Sequence, residues 1–146
     1  MGREHRIISA LAGSAVPVAP TFGLCEDRAV NGAPFYVMGF VPGTVLHDAA
    51  AAAALPPAER AELGHHVIDV LAALHMLDPD AVGLGDLGRK EAYRSRQLKR
   101  WINQWEASKT HEIPEMEETS RLLEAHMPEQ VGASIVHGDY RLGNMM

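Results

Sequence analysis

An apolar stripe of helical period in residues 57–75 constrains the fold of this chain more than any other feature. Its members fall at offsets 0, 4, 7, 8 and 11, along one helix face: Leu63, Val67, Val70, Leu71 and Leu74. Pro57 stands in the first turn, where its missing N–H is tolerated. The spacing therefore predicts an amphipathic helix from Pro57 to about His75.

Weaker patterns before and after this helix predict the other elements. An Asn-Gly pair at Asn31-Gly32 lies between two runs of strand-forming residues and is typical of a hairpin. The predicted elements are a helix at 3–11, strands at 21–26 and 35–41, a weak helix or surface loop at 49–54, and helices at 89–108 and 115–127.

The segment Gly83-Leu84-Gly85-Asp86-Leu87-Gly88 matches G-x-G-x-x-G letter for letter. A dinucleotide-binding turn requires a strand before these glycines and a helix after them. Here a helix end and the Asp78-Pro79 turn come first. The pattern therefore predicts a loop without a nucleotide-binding role.

The final segment carries the residues with the most specific chemistry. His137 and Asp139 follow the β-branched pair Ile135-Val136, and Asn144 comes five residues after Asp139. This is the spacing of a kinase catalytic loop, in which a carboxylate orients the attacking hydroxyl and an amide oxygen holds magnesium. Gly138 and Gly143 favour a loop that folds back on itself, because glycine tolerates positive φ.

A structural interpretation of the same residues stands beside the catalytic one. His137 alone would be a hydrogen-bonded structural histidine, and Asp139 would be a loop residue that caps a turn. The surrounding sequence supplies the further information.

The stretch Ile-Val-His-Gly-Asp-Tyr-Arg-Leu-Gly-Asn resembles the catalytic loop of the aminoglycoside phosphotransferase and choline kinase family, which are small-molecule kinases. Within it, the chain is most similar to kinase-like domains related to those fused to acyl-CoA dehydrogenases. The resemblance implies an α+β, protein-kinase-like fold. Residues 1–41 would form an incomplete N-terminal lobe of a helix and a β-hairpin. Residues 42–146 would form a mainly helical C-terminal lobe, with the domain truncated at both ends.

The resemblance also implies roles for individual residues. Asp139 would act on the acceptor hydroxyl, His137 would brace the loop, and Asn144 would hold Mg²⁺. The run Tyr36 to Gly43 resembles a kinase hinge, where the Gly39 carbonyl and the Val41 N–H would read adenine and Met38 would be the gatekeeper. The alternative is a plain buried strand that ends in a Pro-Gly turn.

Glu4 matches the family's glutamate that pairs with a phosphate-binding lysine. The alternative for Glu4 is a solvated first-turn residue stabilised by the helix dipole. The implied cofactors are ATP and Mg²⁺, and the implied partner is a small molecule with a hydroxyl group. A strand-borne lysine before Glu4, a glycine-rich phosphate loop and a second metal-binding aspartate are absent from the 146 residues.

The resemblance therefore leaves two functional hypotheses. In the first, the chain is a fragment of a small-molecule kinase, inactive by itself, whose complete protein transfers the γ-phosphate of ATP. In the second, it is a non-catalytic, truncated kinase-like binding module or a gene remnant.

Composition excludes several other classes of protein. The net charge of −6, without a run of Lys or Arg, argues against a nucleic-acid surface. No apolar stretch reaches membrane-spanning length, so no membrane partner is expected. The single cysteine, Cys25, fits a reducing compartment, and a cytoplasmic location is expected. Exposed edges of the predicted hairpin favour self-association.

Overall fold

The computed structural model describes residues 1–146 and consists mainly of helices with one small sheet. Its helices and strands are α1 (Gly2–Leu11), β1 (Thr21–Cys25), α2 (Arg28–Asn31), β2 (Phe35–Met38), α3 (Ala49–Ala53), α4 (Pro57–Met76), α5 (Tyr93–Ser108) and α6 (Pro114–Ala125). A short 3₁₀ helix, Leu142–Asn144, lies near the C-terminus. The predicted elements are all present, and their ends differ by a few residues.

The two strands form an antiparallel pair, as the hairpin pattern predicts. Their connection differs from a tight Asn-Gly turn, because one helical turn, α2, fills it. Asp27 caps that turn through a 2.8 Å bond from the Ala29 N–H to its carboxylate, and Gly32 ends it with φ of 73°. Gly32 therefore ends a helical turn, where a positive φ is common, and does not form a two-residue hairpin turn with Asn31.

Strand β2 ends at Met38 rather than at Val41. The Gly39 N–H still donates to the Pro20 carbonyl at 2.7 Å. Beyond this bond the ladder cannot continue in regular form, because Pro20 has no N–H to return. Phe40 leaves the sheet and is 90% exposed.

Helix α4 confirms the apolar stripe. Leu74 is buried and packs with Leu11 of α1 and with Val16, which follows α1. Half-buried residues surround this core: Ile7, Val18, Val70, Ala73, Leu77 and Ile135. Ile135 belongs to the C-terminal segment, so the predicted catalytic loop begins directly on the core.

Residues 83–88 form turns, so the G-x-G-x-x-G pattern is a loop, as predicted. Leu84 is its buried residue, with 2% of its surface exposed. Arg6 of α1 donates to the Gly83 carbonyl at 2.8 Å and forms an ion pair with Asp86. This ion pair lowers the pKa of the Asp86 carboxyl, chiefly through the hydrogen bond from Arg6. The loop therefore has a structural role at the side of α1.

The chain divides into two units. The first unit contains Met1–Asp86 and Ser134–Met146, and the second contains Leu87–Ala133. In the second unit α5 packs against α6. Helix α5 begins at Tyr93, later than predicted, because Ala92 adopts a left-handed conformation with φ of 50°. The division into lobes at residue 41 remains a prediction.

The apolar face of α5, which consists of Leu98, Trp101, Ile102 and Trp105, is only partly covered. Leu98, Ile102 and Trp105 are half-buried, but Trp101 is 59% exposed. None of the helices combines the length and the apolar character needed to cross a membrane.

Candidate functional site

The C-terminal segment 134–146 is anchored near both of its ends. Ile135 packs against the core of Leu11, Val16 and Leu74. At the other end, the Met146 side chain lies so close to Gly43 that a Cβ there would stand 2.5 Å from the Met146 Cγ. The residues between these anchors have no regular structure until the 3₁₀ turn. Their side-chain contacts therefore decide the geometry of the loop.

The structure brings Asp139 and Asn144 together. The Asn144 Nδ2 group donates to the Asp139 carboxylate oxygen Oδ2 at 2.7 Å and to the Asp139 backbone carbonyl at 3.0 Å. Gly138 has φ of 87°, which permits the reversal of the chain before Asp139. Gly143 contributes differently from the prediction, because it lies inside the 3₁₀ turn without a positive φ.

These two side chains offer oxygen ligands that suit Mg²⁺. Because Asn144 donates through its nitrogen, its Oδ1 oxygen has no partner within the chain. The carboxylate of Asp139 is exposed and lies beside it. No group of three or more His, Cys, Asp or Glu residues is placed to hold a metal. The free Asn144 Oδ1 atom therefore fits as one ligand of a magnesium ion that takes its remaining ligands from phosphates and water, as is usual for that ion.

His137, the third predicted residue, contacts the same loop. Its Nδ1 atom accepts a 3.3 Å hydrogen bond from the Asp139 N–H. Its ring meets the Tyr140 ring edge to face, with centroids 5.3 Å apart and an angle of 72°. The position suits a residue that braces the loop, since both contacts fix the backbone on either side of Asp139.

Two residues beside Asp139 were not identified from the sequence as site residues. The Arg141 Nε atom lies 3.4 Å from both carboxylate oxygens of Asp139. The Tyr140 hydroxyl donates to the Val67 carbonyl of α4 at 2.7 Å, and burial raises the pKa of this hydroxyl. Tyr140 is half-buried, whereas Asp139 and Arg141 are exposed.

The predicted hinge leaves two polar backbone groups unused. The Gly39 N–H is bonded to Pro20, but neither the Gly39 carbonyl nor the Val41 N–H has a hydrogen-bond partner. These are the two groups that the resemblance assigns to adenine. Met38 is 49% exposed, so its side chain is accessible rather than enclosed in a core.

Glu4 lies in the first turn of α1, exposed, beside Tyr36 of β2. The pKa of the Tyr36 hydroxyl is raised, first by burial and then by the negative charge of Glu4. Glu4 is thus directed towards the sheet. No hydrogen bond or ion pair joins Glu4, Met38, Gly39 or Val41 to the Asp139 loop.

The second unit contains a cavity of about 540 Å³. Its lining is mostly apolar and comes from α5, α6 and the residues after α6: Arg94, Leu98, Thr119, Leu122, Leu123, His126, Met127 and Pro128. Arg94 is already engaged, since its Nη1 atom donates to the Pro128 and Glu129 carbonyls at 3.0 Å each. None of the predicted site residues lines this cavity.

Comparisons with known proteins agree with the kinase-like geometry. A model of the phosphotransferase enzyme family (APH) matches residues 1–146. Mouse acyl-CoA dehydrogenase family member 10 is 38% identical over 144 residues, and chicken family member 11 is 35% identical over 148 residues. Each match covers 99% of this chain but only 13% and 18% of those relatives.

A solved structure supports the same relationship. The crystal structure of a candidate aminoglycoside phosphotransferase from Ralstonia eutropha superimposes with a TM-score of 0.88 and 44% sequence identity. The match covers 99% of this chain and 44% of that protein. The kinase-like fold expected from the sequence is therefore confirmed, and the chain spans less than half of the proteins that it matches.

Proposed function

Because this chain belongs to the phosphotransferase enzyme family, we propose that it forms part of a cytoplasmic kinase that transfers the γ-phosphate of ATP to a hydroxyl group of a small molecule. The observation that carries the proposal is the closed loop in which Asn144 holds the Asp139 carboxylate at 2.7 Å. A loop fixed in this way keeps a carboxylate and an amide side chain next to each other, and phosphoryl transfer uses groups of these two kinds.

In this proposal Asp139 orients the acceptor hydroxyl and receives its proton. The hydroxyl oxygen forms the new bond to the γ-phosphorus, and the bond from that phosphorus to the bridging oxygen of ADP breaks. Asn144 would hold Mg²⁺, which neutralises charge on the phosphates. His137 keeps the backbone of Asp139 in place through its Nδ1 contact.

The nucleotide would bind at two further places. The free Gly39 carbonyl and Val41 N–H would pair with the adenine edge, beside Met38. Glu4, directed towards the sheet, would orient a phosphate-binding lysine. Residues 1–41 would act as the N-terminal lobe and residues 42–146 as the C-terminal lobe in this arrangement, with neither nucleic acid nor membrane as a partner.

The test is phosphate transfer by the full-length protein and its Asp139→Asn variant. The assay supplies labelled ATP, Mg²⁺ and a panel of hydroxylated metabolites. We expect the variant to lose about 10²- to 10⁴-fold in rate, because the hydroxyl loses its proton acceptor. The amide oxygen introduced by this substitution can still accept the bond from Asn144, so the loop should keep its fold.

Asp69→Asn is the matched control. Asp69 is an exposed carboxylate on α4 without an ion pair or hydrogen bond, and its removal should leave the rate unchanged. Transfer that is equally fast in the Asp139→Asn variant would contradict the proposal. ATP binding without any Asp139-dependent transfer would instead support the non-catalytic binding module.

A further inference from the structure

Tyr140 stands out among the loop residues because it is the half-buried one in an exposed run. Residues 136–139 before it and Arg141 and Leu142 after it are exposed. A tyrosine side chain is large enough to reach a neighbouring element while its backbone stays at the surface. In this loop it reaches the longest helix of the protein.

The hydrogen bond of Tyr140 differs in range from the others in the loop. Its hydroxyl donates to the Val67 carbonyl at 2.7 Å across 73 residues. The remaining side-chain hydrogen bonds of residues 134–146 join residues that are two to five positions apart. These local bonds give the loop its shape, but they do not fix its distance from the rest of the first unit.

The Val67 carbonyl is well suited to hold the loop at a fixed distance from α4. Val67 lies in the middle of α4, ten residues after Pro57, and its carbonyl has a second lone pair beyond the one used within the helix. Helix α4 is itself fixed on the core by Leu74. A group bonded to the Val67 carbonyl therefore shares the rigidity of the core.

The ring of Tyr140 transmits this constraint to the site. It contacts the His137 ring edge to face at 5.3 Å, and His137 accepts the Asp139 N–H. Tyr140 is also covalently next to Asp139. The Asp139 backbone is thus held from the Tyr140 side by a long-range anchor and from the His137 side by a hydrogen bond.

We propose that Tyr140 is a positioning residue. Its hydroxyl bond to the Val67 carbonyl sets the distance of the catalytic loop from α4, and with it the position of the Asp139 carboxylate. The inference rests on the proposed function of Asp139. Displacement of a reacting group by about 1 Å costs about 10² in rate. Loss of a single anchor should therefore reduce turnover without removing the reacting group.

The experiment compares Tyr140→Phe with Tyr93→Phe in the full-length protein. Both changes delete one hydroxyl that makes one hydrogen bond, since the Tyr93 oxygen accepts from Gln97 at 2.9 Å. The probe is Mg²⁺-dependent ATP turnover with water and with the metabolite panel as acceptors. We expect Tyr140→Phe to lower kcat by about 10- to 100-fold, with an unchanged KM for ATP and an unchanged rate for Tyr93→Phe.

A double-mutant cycle separates positioning from a general structural role. If Tyr140 acts through Asp139, then Tyr140→Phe should cost almost nothing further in an Asp139→Asn background. A merely structural tyrosine would lower the rate by the same factor in both backgrounds, which would overturn the inference. An equal kcat for wild type and Tyr140→Phe would also overturn it.

Hydrogen exchange gives a measurement that does not depend on activity. Amides of residues 137–144 should exchange faster in Tyr140→Phe than in wild type, whereas those in Tyr93→Phe should not change. Unaltered exchange in Tyr140→Phe would contradict the anchor. If Asp139→Asn retains full turnover, the proposed function itself fails. If Tyr140→Phe retains full turnover and Asp139→Asn does not, the positioning inference fails and the proposed function stands.

Discussion

The two units of the chain differ in how deeply their apolar side chains are buried. The first unit contains every buried apolar residue: Leu11, Val16, Leu74 and Leu84. The second unit has no buried residue in either of its helices. It carries ion pairs at its surface, among them those of Lys109 and Arg121. The unit that carries the proposed catalytic loop is thus the one with buried apolar residues.

The physical reason for this difference is the number of elements that pack over the apolar face of each helix. Helix α4 presents its stripe to residues from α1, from the segment after α1 and from the C-terminal segment, so several elements cover it. Helices α5 and α6 cover mainly each other, and a pair of helices cannot bury a complete side chain on all sides. A catalytic group gains from the first arrangement, because its support does not depend on screened surface charges.

The largest expected effect concerns the buried leucine of α4. Leu74→Ala should reduce the free energy of unfolding by about 2–5 kcal/mol, because it leaves a cavity beside Leu11 and Val16. Leu123→Ala in the second unit, where 55% of the side chain is exposed, should change it by about 0.5 kcal/mol or less. Urea unfolding followed by circular dichroism measures both, and equal losses would remove the distinction between the units.

A smaller effect is expected from glycine packing. A Cβ on Gly39 would come within 2.7 Å of the Pro20 Cγ atom, and a proline ring cannot move aside easily. Gly39→Ala should therefore cost about 1–3 kcal/mol by overpacking and weaken nucleotide binding at the hinge. Gly88→Ala in the second unit meets no atom within 4 Å and should be nearly neutral. A thermal melt with and without ATP distinguishes them, and a neutral Gly39→Ala would show that the hinge is loosely packed.

The smallest effect concerns Lys109, whose ammonium group lies 2.9 Å from Glu106, 3.1 Å from Glu112 and 3.8 Å from Glu117. Lys109→Met should cause a small loss of stability in the second unit. Lys99→Met on α5, the helix that ends just before Lys109, removes an exposed lysine without an ion pair and should cause none. Both tryptophans lie in this unit, so their fluorescence reports its unfolding.

The pH dependence of this contribution follows from two shifts. The hydrogen bond with Glu106 raises the pKa of Lys109 above its ordinary 10.5, and the bond from Lys109 lowers the pKa of Glu112 below its ordinary 4.5. The stability that the Lys109 ion pairs contribute should not change with pH between pH 4.5 and pH 10.5, the two ordinary pKa values. It should disappear below the lowered pKa of Glu112 and above the raised pKa of Lys109, and high salt should reduce it. If the unfolding transition of the second unit does not change with salt concentration, these ion pairs do not stabilise it.

Local sequence patterns were sufficient for most of the secondary structure. The stripe of α4 and the Asn-Gly pair that predicts the hairpin depend on residues a few positions apart, so the local sequence reveals them. The glycine pattern at 83–88 was likewise correctly assigned to a loop from its neighbours. Element ends were less exact: Ala92 has a left-handed backbone and Pro20 interrupts the ladder, and neither follows from periodicity.

The candidate site also has features that the local sequence predicts and features that only the structure shows. The spacing of His137, Asp139 and Asn144 is local, and it predicted a loop that folds back on itself. The structure then placed the Asn144 amide on the Asp139 carboxylate. The catalytic roles of these residues, and of Glu4, Met38, Gly39 and Val41, remain predictions until the variants are measured.

The sequence by itself determined where this protein is helical, where the hairpin lies and which short loop carries the carboxylate. Only the tertiary structure decided which surfaces are covered. It left Trp101 exposed despite its place on an apolar face, and it bonded Tyr140 to Val67 across 73 residues. The physical reason is that periodicity fixes the direction of a side chain relative to its own element, whereas burial and long-range bonds depend on which other element arrives there.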